Sequence, residues 1–116
     1  MPLEFREYQE KAHQTSLNTL YGDDSQMGRL IYPTLKLAGE AGEFGEKVGK
    51  LLRDKGGLID DADRAALADE LGDVLWYAAE IATVLGASLS DIAERNIEKL
   101  HSRAQRGVIQ GSGDNR

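Results

Sequence analysis

Four carboxylates stand at spacings that can do chemistry. The run Gly39-Glu40-Ala41-Gly42-Glu43 sets two acids three residues apart, and Asp69-Glu70-Leu71-Gly72-Asp73 repeats the arrangement. Residues three apart are neighbours on a helix surface. Glu40 and Glu43 therefore share a face, as do Glu70 and Asp73, while Glu46 drifts off the first line. If the two segments pack antiparallel, the four carboxylates converge. They then repel one another and raise their own pKa values. A hard divalent cation relieves that repulsion through oxygen ligands, with Mg²⁺ the leading choice and Mn²⁺ a substitute. Helical di-iron sites use Glu-x-x-His. Here the third positions are Glu43 and Asp73, and His13 and His101 have no matching spacing, which disfavours iron. A lone Glu-x-x-Glu is more often a solvated helix face, because acids are mostly exposed. Two such pairs, each set among small and apolar residues, weaken that alternative without removing it.

The elements that must position these acids read as helical throughout, so the expected class is all-α. A first helix is expected over residues 3 to 21, with Phe5, Tyr8, Ala12 and Leu20 near helical spacing. A second is expected from Pro33, a favourable first-turn residue, to Arg53 or Asp54. A third, capped by Asp60 or Asp61, reaches Leu85 and stops at Gly86. Its apolar stripe is Leu67, Leu71, Val74, Leu75, Ala78, Ala82 and Leu85. Ser88 to Asp91 resembles a capping box opening a fourth helix to Gln105, with Ile92, Ile97 and Leu100 inward. Short connections make this a four-helix-bundle-like protomer. Residues 1–107 form the helical domain and 108–116 a Gly/Ser-rich tail, ordered only if something holds it. The second helix also carries Gly39, Gly42, Gly45 and Gly49 along one side. Each lowers helix propensity by about 1 kcal/mol relative to Ala. The stripe predicts close approach of another backbone, tight helix packing above all.

Composition narrows the partners. Twenty acidic residues against fourteen basic ones give a net charge of −6, which argues against nucleic-acid polymer or anionic membrane as partner. No apolar run spans a bilayer, and residues 1–10 do not read as a signal peptide. The absence of cysteine excludes disulfides and thiolate chemistry and fits a reducing cytoplasm.

Taken together, Leu37-Ala-Gly-Glu-Ala-Gly-Glu43, then Leu67-Ala-Asp-Glu-Leu-Gly-Asp-Val-Leu-Trp-Tyr77, then Asn96-Ile-Glu-Lys-Leu-His-Ser-Arg103 closely resemble the MazG-like branch of the all-α nucleoside triphosphate pyrophosphohydrolases. The 26 residues between Glu43 and Glu70 fit that family's spacer, and the resemblance covers roughly residues 30 to 107. It implies cleavage of a nucleoside triphosphate between the α- and β-phosphates, giving monophosphate and pyrophosphate, in nucleotide-pool housekeeping. It further implies Glu40, Glu43, Glu70 and Asp73 as Mg²⁺ ligands, Asn96 and Lys99 near the nucleotide, and Arg103 less closely matched. A homodimer or homotetramer, with sites completed by neighbouring helices, is also implied. Glu43 and Glu46 are the candidates for general base, although Glu46 can equally pair with Lys50 at i,i+4.

Several other residues remain open. Lys47, Lys50, Arg53 and Lys55 can meet phosphates or simply be solvated charges near a helix C-terminus. Lys99 and Arg103 can present two cations to one phosphate chain or join a surface network with Glu94 and Glu98. Trp76 and Tyr77 can stack on a base, but aromatics at this spacing more often form core or subunit interface. His13 and His101 carry no spacing signal. The tail's Gly-Ser-Gly and Arg116 can offer donors to phosphate. Two other functions compete: a non-catalytic helical interaction module, and a phosphohydrolase acting on phosphoribosyl-linked nucleotides.

Overall fold

The computed structural model describes residues 2–111 and 113, and among these the only regular elements are four α-helices. They are α1 (Phe5–Gln14), α2 (Gln26–Lys55), α3 (Asp61–Val84) and α4 (Leu89–Arg106). The all-α expectation holds. Two boundaries differ from those read in the sequence. Helix α1 stops at Gln14, because Thr15 and Ser16 take local bonds: Thr15 Oγ1 donates to the Ala12 carbonyl at 2.7 Å, and Ser16 Oγ accepts from the Asn18 amide at 3.0 Å. Such hydroxyl side chains compete with the helical ladder. Asn18 then adopts φ 51° and Gly22 φ 86°, and the chain runs irregularly to Ser25.

Helix α2 starts at Gln26, seven residues before Pro33, because Ser25 caps it by accepting from the Gly28 amide at 3.1 Å. Pro33 is thus a buried interior residue rather than the first turn. Gly28 is required where it stands, since a Cβ there would collide with the Asp23 carbonyl. At the far end Gly56, at φ 61°, turns the chain out of the helix. Asp60 and Asp63 then form a reciprocal capping box, 2.8 Å and 3.2 Å, that opens α3. Lys55 closes the hairpin with ion pairs to both acids. Ser88 caps α4 as expected, and Gly107 at φ 72° ends it.

The core sits where α1, α3 and α4 meet. Ala12, Ala79 and Leu89 are buried there, with Tyr8 and Trp76 packed against them. Gln9 links all three helices. Its Nε2 donates to Thr83 Oγ1 (3.1 Å) and the Ala87 carbonyl (2.9 Å), and its Oε1 accepts from the Leu89 amide (2.8 Å). Helix α2 packs along α3, and its backbone makes no close approach to α1 or α4. The four helices therefore do not close into a compact bundle within one chain.

Much of the expected apolar stripe is consequently open. Leu71, Leu75, Leu85, Ile92 and Ile97 are all exposed, and among the α3 positions only Ala82 is fully buried. A Cβ at Gly39, Gly42, Gly45 or Gly49 would meet nothing within 4 Å, so the expected close packing of that stripe is absent within the chain. The accessible surface is 8400 Å² for 12.7 kDa. A folded monomer of that mass exposes about 6,200 Å². The radius of gyration, 17.1 Å, likewise exceeds the roughly 13 Å of a compact chain of this length.

Candidate metal centre and adjoining cleft

Helices α2 and α3 lie side by side, so acids three residues apart on each come to one place. One carboxylate oxygen each from Glu40, Glu43 and Glu70 lie within 4.8 Å of one another. Asp73 falls outside that group of three but acts on it through charge. Glu40 is held above the usual carboxylate range, first by burial, then by the charges of Glu43 and Asp73, with Lys36 opposing at 3.9 Å. Burial, followed by Asp73, likewise raises Tyr8.

The group is partly neutralised from within. Lys47 Nζ donates to Glu70 Oε1 at 2.6 Å, and this bond is the largest reason the ammonium holds its proton above the ordinary lysine range. The other Glu70 oxygen, Oε2, is buried with no hydrogen-bond partner among the described residues. A buried acceptor left unmade costs about 1–3 kcal/mol, more when charged. An all-carboxylate donor set with one orphaned oxygen fits a hard divalent cation.

The remaining sequence candidates are placed elsewhere. Glu46 pairs with Lys50 at 3.4 Å, both more than half exposed. Asn96 and Lys99 line a shallow groove of about 300 Å³ on α4 with Ile92 and Arg95, which shares no residue with the acidic group. Arg103 is buried, 4% exposed, and donates to the Gly113 carbonyl at 3.3 Å. It is thus engaged with the C-terminal segment, where the Val108 amide also returns to the Arg103 carbonyl at 2.9 Å. Ser112, at the centre of the Gly-Ser-Gly run, and Arg116 lie outside the described residues.

A cleft of about 310 Å³ opens beside the acids, lined by His13, Arg29, Tyr32, Trp76, Tyr77, Glu80 and the segment around residues 15–19. Trp76 and Tyr77 are half-buried here, packed edge to face at 4.8 Å, and Trp76 Nε1 donates to Thr15 Oγ1 at 2.9 Å. Tyr77 connects cleft to acids. Burial and its bond to Tyr32 hold the phenol up at about 12, and the charges of Glu40 and Asp73 add to the shift. Spacing assigned His13 no role and did not single out Glu80. Glu80 is 6% exposed, and both of its oxygens face His13 Nδ1, at 3.2 and 3.3 Å. The visible signal was one acid inside the apolar run from Tyr77 to Val84.

The fold and site together define, among the described residues, an all-α protein with a carboxylate cluster that could hold a metal and an aromatic-lined cleft. Residues 33–108 match the MazG nucleotide pyrophosphohydrolase domain, and the chain belongs to that family. It is also 50% identical over 109 residues to the Gene 37 protein of Mycobacterium phage L5, covering 94% of this chain and 96% of that one. No solved structure matches it. Among the described residues, no helix is long and apolar enough to cross a membrane.

Proposed function

We propose that the protein hydrolyses nucleoside triphosphates between the α- and β-phosphates, with Mg²⁺ and with Mn²⁺ as a substitute, releasing monophosphate and pyrophosphate. The observation that carries this reading is the acidic group on α2 and α3, with its orphaned Glu70 oxygen, inside a MazG domain. Glu40, Glu43 and Glu70 would hold the metal, with Asp73 as the fourth carboxylate. Bound there, Mg²⁺ supplies neutralisation of the triphosphate and of the charge that develops on the departing pyrophosphate.

The chain's own residues do the rest. Glu43 is the exposed member of the group, so water reaches it, and it is the base that orients that water and takes its proton. Glu46, paired with Lys50 at the surface, supports the helix and leaves the base role to Glu43. Lys47 stands within the acidic group as a movable cation, able to exchange Glu70 for a phosphate oxygen. The open apolar faces and the bare glycine stripe support a homodimer or homotetramer. In that assembly α4 of a neighbouring copy brings Asn96 and Lys99 toward the nucleotide.

The test is turnover of a panel of ribo- and deoxyribonucleoside triphosphates with Mg²⁺, using wild type, Glu43→Ala and Glu70→Ala. Each variant is expected to lose at least about 100-fold in kcat while keeping its helical circular-dichroism spectrum. Wild-type turnover that survives both substitutions, or no turnover of any nucleotide, refutes the reading. The second outcome favours a non-catalytic helical module.

A further inference from the structure

The acidic group already holds a cation of the chain's own. Lys47 follows Glu43 by four residues on α2, one helical turn along the same face. Its stem crosses to α3, where Nζ donates to Glu70 Oε1 at 2.6 Å. The acids whose charges act on Lys47 are Glu70, Glu43 and Asp73. Glu40 instead has Lys36 beside it, at 3.9 Å. Lys47 thus serves the Glu70 and Asp73 side of the group. An ammonium is a compact point charge with three donors. Its 2.6 Å contact is only about half an ångström longer than a Mg²⁺–oxygen bond.

Glu70 divides its two oxygens. Oε1 goes to Lys47, while Oε2 is buried with no hydrogen-bond partner among the described residues. One carboxylate can therefore bridge two cations, with the ammonium on one oxygen and a metal on the other. Charge agrees with that count. When ionised, Glu40, Glu43, Glu70 and Asp73 carry four negative charges, and Lys36 and Lys47 return two. A single divalent cation cancels the remainder. A second would leave the group two charges positive before any nucleotide arrived, with an ammonium pressed beside it.

We infer that Lys47 fills the place of a second metal ion, so that the group takes one divalent cation per chain. The inference rests on the metal-dependent hydrolase reading and assigns its site a metal count. Paired metal sites set two ions roughly 3.5–4 Å apart and clamp both the attacking and the leaving oxygen of a displacement. Here a tethered ammonium takes one of those two places. Whether Nζ stays on Glu70 or turns to a phosphate oxygen, its charge remains within the group. A chelator strips the metal and leaves this cation behind, so the four acids are never wholly uncompensated.

The metal-free full chain is titrated with Mn²⁺, and the ions are counted by electron paramagnetic resonance. Those counted for the group are the ones lost in Glu70→Ala. Wild type is expected to bind one Mn²⁺ per chain there, as an isolated ion. Lys47→Met keeps the stem's bulk and removes the charge. It is expected to bind its first Mn²⁺ about 10-fold more tightly, and to take a second that is spin-coupled to the first. Lys47→Arg keeps the charge and is expected to retain a count of one. Lys50→Met removes an equal charge from the exposed pair with Glu46 and is also expected to leave the count at one. A helical circular-dichroism spectrum establishes that each variant is folded. Two coupled ions in wild type, a single ion in folded Lys47→Met, a second ion in Lys47→Arg, or the same gain in Lys50→Met each overturns the inference. Absence of Mn²⁺ binding overturns it together with the metal-dependent reading. Hydrolysis of triphosphates is scored separately. Turnover with two ions bound to wild type defeats the assignment of Lys47 alone, whereas one Lys47-limited ion without turnover defeats the pyrophosphohydrolase reading alone.

Discussion

Neutralising Glu40 should move stability in opposite directions with and without metal. The Glu40 side chain is 14% exposed, and Glu43 and Glu70 each place a carboxylate oxygen within 4.8 Å. At an effective dielectric near 20, one like charge at that distance costs up to about 3.5 kcal/mol. Lys36 at 3.9 Å opposes this at Glu40, and Lys47 does so at Glu70 and Glu43. The raised pKa of Glu40 shows that a net penalty on the charged form remains. The sign follows by linkage. A carboxyl whose folded pKa lies above its unfolded value binds its proton more tightly when folded, so its ionisation at neutral pH destabilises the fold. Glu40→Gln removes that ionisation. Without metal, the variant is expected to melt above wild type, by about 4–8 °C for each kcal/mol of repulsion relieved. With Mg²⁺ at about 100 times its Kd, wild type gains roughly 2.7 kcal/mol, and the variant gains much less. The assay is thermal denaturation by circular dichroism at one fixed protein concentration, with and without Mg²⁺. A metal-free variant less stable than wild type, with an undiminished response to Mg²⁺, refutes the reasoning.

Three further outcomes are expected. Gln9→Ala should destabilise the fold by roughly 2 kcal/mol in urea unfolding, because the Leu89 amide and Ala87 carbonyl lose their partner together; a change below about 0.5 kcal/mol would show that the link is incidental. Asp60 sits below the ordinary carboxylate range, chiefly through the Asp63 amide and then Lys55, so its stabilisation is complete above pH ~4 and is lost as pH falls through its lower folded value. Asp60→Asn caps without titrating, and its stability should fall less steeply over that acid window. Leu35 is 63% exposed, so Leu35→Glu should leave a monomer within about 0.5 kcal/mol yet disrupt a dimer or tetramer in sedimentation velocity; a monomeric wild type would contradict the assembly.

The acidic pairs were legible in the sequence because spacing of three on a helix is a strictly local relation. Helix α3 was legible for the same reason, since Asp60 and Gly86 mark its ends with local chemistry. Other features were set by residues far apart. The end of α1 depended on Thr15 and Ser16 outcompeting the ladder, and the start of α2 depended on Ser25 prevailing over the stronger-looking signal of Pro33. The cleft draws its walls from the segments around residues 13–19, 29–33 and 76–84, and Glu80 finds His13 67 residues away. No periodicity encodes that meeting. Ile92 and Ile97 were expected inward but are exposed, as is much of the α3 stripe, because within one chain α2 and α4 never meet to cover them. Amphipathic spacing reveals which face is apolar and not which molecule covers it.

Product identity tests most directly whether the bond between the α- and β-phosphates is the one cleaved. Purified protein is incubated with Mg²⁺ and dGTP, and with the other triphosphates in parallel, and the products are followed by ³¹P nuclear magnetic resonance. Equimolar nucleoside monophosphate and pyrophosphate, with no diphosphate and no early orthophosphate, is the expected result. Nucleoside diphosphate with orthophosphate, or an unchanged triphosphate spectrum with every nucleotide, would contradict it.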